Sequence, residues 1–129
     1  GRRLFKLTTK TTDDHNMHEW RKQVKYLWYQ LVIITPLWPE ILSPFCRQVQ
    51  ILSQLLGKHH DYYIFVNALQ SMEFDKKYNL EINALKANIR RQKQILEKKA
   101  LRMGSLLYIT SPKQIEQIIK NLALQIKTA

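Results

Sequence analysis

The stretch DDHNMHEWRKQVKYLWYQLVII, residues 13–34, decides the fold. Met17, Trp20, Val24, Leu27, Trp28 and Leu31 recur mostly at three- and four-residue spacing, which lines side chains along one face of an α-helix. Asp13 and Asp14 stand just ahead of the first apolar position. A carboxylate there caps free backbone N–H groups and meets the positive end of the helix dipole. Pro36 stops the pattern, because proline lacks a backbone donor and disfavours helix at the residue before it. The spacing predicts a helix to about Ile34.

Similar stripes continue along the chain. Pro39 opens a second helix, at a position where proline is tolerated, and Pro44 delays its regular part. Phe45, Val49, Leu52, Leu55 and Leu56 form its apolar face, and Gly57 is placed to end it as a C-cap. A third helix is predicted from about His59 to Met72, carrying Tyr62, Tyr63, Phe65, Val66 and Leu69. After a connection near Phe74 to Asn79, a long helix runs from Leu80 to Tyr108 with Ile82, Leu85, Ile89, Leu96 and Met103. Ser111 is placed to cap a last helix with Pro112 in its first turn and Ile115, Ile118, Ile119, Leu122 and Ile126 along one side. Residues 1–12, with Arg2, Arg3, Lys6 and Lys10, read as a connector or the end of a preceding helix. The expectation for 13–129 is an all-α antiparallel bundle of about four long helices plus a C-terminal helix.

Composition agrees. The 129 residues hold only 3 Gly and 4 Pro, too few for a many-stranded, turn-rich β-protein, and 45% are hydrophobic. Mean hydropathy is −0.36, in the range of globular chains. Cys46 is the single cysteine, which excludes an internal disulfide and a multi-cysteine zinc cluster; it reads as a small buried hydrophobe. The first ten residues lack an apolar core segment, and no run approaches 18 apolar residues, so neither secretion nor membrane spanning is signalled. A cytoplasmic setting is expected. Against 10 acids stand 21 Lys and Arg, a net charge of +11. Such a surplus repels itself in the compact state unless a polyanion offsets it.

At about 100° per residue, His18, Arg21, Lys22, Lys25 and Tyr29 gather beside the apolar face of the first helix, while the nearby acid Glu19 points elsewhere. The plain alternative is a solvated stripe. The sharper one is an anion site, in which Arg offers a planar fork, Lys a mobile charge, Tyr a neutral donor and His a donor that strengthens on protonation. A second cluster, Gly57-Lys58-His59-His60-Asp61, sits where one helix was expected to end and another to begin, so that backbone donors would lie beside the imidazoles. A polar inter-helix turn capped by Asp61 is the bland alternative.

On the long helix Arg91, Lys98 and Arg102 share a face without an acid and join the candidate ligand contacts; Arg90 and Lys93 share theirs with Glu97 and read as solvated surface. Arg47, Lys58 and His59 are candidate rim residues. His15 and His18 lie three apart, as in a chelating pair, yet Arg21 and Lys22 beside them repel a divalent cation, so no metal site is expected. No Gly-rich phosphate loop, nucleophile elbow or paired carboxylates point to catalysis or to a cofactor. Nucleic-acid binding is the alternative function, though the tryptophans look buried and offer no stacking platform. The apolar faces are needed for the bundle, which argues against membrane binding.

The segments HEWRKQVKYLWYQL, residues 18–31, and LLGKHHD, residues 55–61, together resemble the CHAD family, the conserved-histidine α-helical domains. Gly1 to Phe5 and the stretch through Leu101, Gly104 and Leu107 are similar to it more weakly. The resemblance is to the C-terminal half of the family's domain, whose two similar helical bundles form a basic cavity that binds inorganic polyphosphate. It implies a polyphosphate binder with His18, Arg21, Lys22, Lys25 and His60 at the matching places, associated with polyphosphate granules. It implies as partner the missing half, or a second copy of the chain, over an apolar patch.

Overall fold

The computed structural model describes residues 5–6, 13–109 and 112–128, and the side chains of the last helix from Gln117 onward. Helix α1 spans Asp14–Ile34. It starts as its sequence dictates: Asp13 is extended, and its Oδ1 accepts a hydrogen bond from the Asn16 backbone N–H at 2.7 Å. Pro36 falls in the 3-10 turn Thr35–Leu37 that closes it.

Helix α2 begins with Pro39 at its first position and runs unbroken over Pro39–Ser71. The break expected at Gly57 does not occur. No described residue has positive φ, so Gly57 does not take the left-handed C-cap conformation. The apolar stripe explains why: Val49, Leu52, Leu56 and Leu69 are all buried along this one helix. Burying each such side chain is worth about 1.5–3 kcal/mol, against about 1 kcal/mol for a helical glycine. The second and third expected helices are therefore one.

Asp75 caps the 3-10 turn Lys76–Tyr78 through Lys77 N–H, and helix α3 follows over Asn79–Leu107. Helix α4 spans Pro112–Thr128; the predicted Ser111 cap lies outside the described residues. Among the described residues every regular element is a helix, giving an all-α bundle of three long helices with a C-terminal fourth.

Met17, Trp20, Val24 and Leu31 of α1 pack with Val49, Leu52 and Leu56 of α2 and Ala100 of α3 in one core. Cys46 is half-buried against it. The indole of Trp20 donates to the Tyr108 hydroxyl at 3.3 Å and lies against Phe5, with ring centroids 5.2 Å apart. Burial of that hydroxyl raises the Tyr108 pKa, an effect only partly offset by the indole hydrogen bond. Leu122 of α4 is buried, and Ile118 and Ile119 face Leu31, Ile34 and Leu42 across an apolar groove. No described helix is long and apolar enough to cross a membrane.

Candidate functional site

His59 and His60 are consecutive on α2, and a turn of about 100° between them sends each to a different neighbour. His60 meets His18 of α1, with ring centroids 4.8 Å apart. His59 is buried and its Nε2 lies 2.7 Å from Glu97 Oε1 of α3. A continuous helix makes this division possible. It also removes the helix N-terminus that the break at Gly57 would have placed beside the imidazoles.

The basic row on α1 forms as predicted, flanking the core. His18, Arg21, Lys22 and Lys25 are half-buried and Tyr29 is exposed. Lys25 Nζ lies 5.8 Å from the centre of the Tyr29 ring. One expectation is corrected: Glu19 does not point away from the row, but accepts from Lys22 Nζ at 2.7 Å. An i,i+3 pair brings the two together on the helix surface. That hydrogen bond lowers the Glu19 pKa. Lys22 is thereby partly engaged before any ligand arrives.

The row continues onto the other two helices through residues the sequence did not mark. The Tyr63 ring stacks near His60 at 6.1 Å. Lys93 Nζ of α3 lies 5.5 Å over the far ring, that of Tyr63, and forms an ion pair with Asp14 of α1. Lys93 is therefore not solvated surface: its side chain is only 18% exposed. His18, His60, Tyr63, Lys93 and Asp14 make a continuous arc over α1, α2 and α3. Lys93 had a signal, its i,i+4 spacing from Glu97, but that spacing suggested a surface pair rather than contacts across the bundle.

Arg91, Lys98 and Arg102 do not join this arc. All three are exposed. The inward face of α3 is set by Ile89, Leu96, Ala100 and Gly104, and at about 100° per residue the three basic residues fall on its opposite side. Arg47 and Lys58 are likewise exposed on α2, whereas His59, expected at a rim, is an interior residue.

Burial, then the nearby charge of Arg21 and then His18, lower the His60 pKa; Asp61 opposes them weakly. The Nδ1 of His18 is buried without a hydrogen-bond partner among the described residues. The place has positive charge and donors in reach, and three of the acids around it are engaged: Glu19 by Lys22, Asp14 by Lys93, Glu97 by His59. Such a surface suits an anion with many acceptor oxygens. Asp14, His59 and Glu97 bring three potential metal-ligating atoms within 4.8 Å of one another. Each already has a partner inside the bundle, and Lys93 supplies the positive charge that such a cluster needs. His15 is exposed on α1, while His18 is turned to His60.

In comparison with known proteins, the family described as CHAD domain matches residues 1–70, more than half of the chain. The matched span contains α1 and all but the last residue of α2, hence both histidines of the facing pair. No curated protein and no solved structure matches the chain.

Proposed function

This chain belongs to the CHAD domain family, and we propose that it binds inorganic polyphosphate as a non-catalytic module. The observation that carries this reading is the facing of His18 and His60 beside Arg21, with Lys25 and Tyr29 further along the same helix. Phosphoryl oxygens accept from the guanidinium fork and the imidazole N–H groups, and Lys25 neutralises the next units. Lys22 contributes when it leaves Glu19. Binding releases counterions from the phosphate chain, so affinity falls steeply with salt. A second helical half or a second copy of the chain would complete the cavity, and the setting would be cytoplasmic, at polyphosphate granules.

The test is a competition at about 0.15 M salt. Long-chain polyphosphate is expected to displace single-stranded DNA or RNA of equal charge; the reverse order would give the site to nucleic acid. In the same assay Arg21→Ala with Lys25→Ala weakens polyphosphate binding tenfold or more, on the order expected for losing two charged contacts, while circular dichroism keeps its helical signal. A folded double variant that binds normally would reduce the row to ordinary surface.

A further inference from the structure

We infer that the facing His18–His60 pair makes polyphosphate binding proton-linked, the pair taking up a proton as the phosphate chain arrives. This rests on the polyphosphate reading and adds a regulation to it. The two rings lie 4.8 Å apart on separate helices, with Arg21 close enough to act on His60. An imidazolium at His60, part-buried and this close to Arg21 and His18, is disfavoured in the free protein, first by burial and then by those charges. The Nδ1 of His18 is buried and has no hydrogen-bond partner among the described residues, so it is left for a ligand oxygen to meet.

The surrounding groups do not relieve the repulsion. From α1 the pair is flanked by His15, Glu19, Arg21 and Lys22, and Glu19 is hydrogen-bonded to Lys22. From α2 come His59, Asp61 and Tyr63, of which Asp61 alone favours the charged form of His60. From α3 come Lys93 and Glu97, engaged with Asp14 and His59. A phosphoryl unit supplies what is missing: negative charge and oxygens that only accept. Interior phosphoryl units of a long chain are strong acids and keep their charge near neutrality, so a change of affinity with pH belongs to the protein.

The sign follows from linkage. Without ligand, burial and Arg21 hold His60 below its ordinary value. The bound anion favours the charged form and moves it up. Affinity is weakest above the bound value, rises as pH falls through it, and levels off below the free value.

The experiment is titration calorimetry of the whole chain with long-chain polyphosphate, in two buffers of different ionisation heat at about 0.15 M salt, repeated from roughly pH 5.5 to 8.5. Expected are a net proton uptake near pH 6.5 and a dissociation constant that tightens by up to about tenfold per pH unit for each proton taken up. His60→Lys, which carries a fixed charge, and the double variant His18→Gln with His60→Gln both flatten the profile. His15→Gln, outside the pair, keeps it. Tight binding without proton uptake, or an unchanged pH profile in a folded His60→Lys protein, overturns the linkage alone. Absence of polyphosphate binding at every pH overturns the binding reading as well.

Discussion

Two glycines on helices show how the same residue type takes opposite roles. A Cβ built on Gly104 falls 2.6 Å from the Phe5 ring and 2.8 Å from the Trp20 ring, far inside van der Waals contact. Gly104 is what lets α3 approach the indole of α1. A Cβ on Gly57 meets nothing within 4 Å. Gly104→Ala is therefore expected to destabilise by about 1–3 kcal/mol through overpacking, despite the better helix propensity of alanine. Gly57→Ala is expected to stabilise by about 0.5–1 kcal/mol, since it removes backbone freedom from the unfolded chain without a clash. Urea unfolding of the two variants beside the parent decides both signs. A stabilised Gly104→Ala protein would mean that the Phe5–Trp20 contact is not built as described.

At the scale of elements, the continuity of α2 is what assigns His59 to α3 and His60 to α1, and it can be tested without touching either histidine. Lys58 is exposed in the middle of the helix. A proline there removes an internal hydrogen bond and clashes with the preceding turn, at a cost of about 3 kcal/mol or more; at a helix start the same change would be tolerated. Lys58→Pro is thus expected to lower the urea midpoint sharply. A near-neutral result would restore the two-helix reading of this segment. The sequence misleads at this point because Gly57 carries a C-cap's chemistry, while the decision belongs to burial of Leu56, His59 and Leu69 on both sides of it. Periodicity was sufficient for α1, whose cap, core face and proline stop were all legible. It was also sufficient to put His18, Arg21 and Lys25 on one side of α1, although the facing of His18 and His60 takes two helices. Tyr63, Lys93, Asp14 and Glu97 were not legible as site neighbours, because their roles arise from contacts between helices and no spacing within one helix encodes them.

For the whole molecule the governing quantity is the excess of 11 positive charges. Among the described residues Glu19, Asp14 and Glu97 pair with Lys22, Lys93 and His59, contacts that offset only part of that excess. Folding gathers these charges, so the free protein pays a repulsion that dissolved salt screens over a distance of about 10 Å at 0.1 M. On the proposed reading, polyphosphate would stabilise by mass action, about 2.7 kcal/mol at a hundredfold excess over its dissociation constant, and salt would weaken that constant through counterion release. The two effects have opposite slopes. Between about 0.05 and 0.3 M salt the melting temperature of the free protein should rise, and the additional shift caused by a fixed concentration of polyphosphate should shrink. Scanning thermal denaturation in sodium chloride, with and without polyphosphate, measures both. A free-protein melting temperature that falls with salt would show that the surplus charge is already neutralised within the fold, and a ligand shift indifferent to salt would show that the polymer is held by something other than its charge.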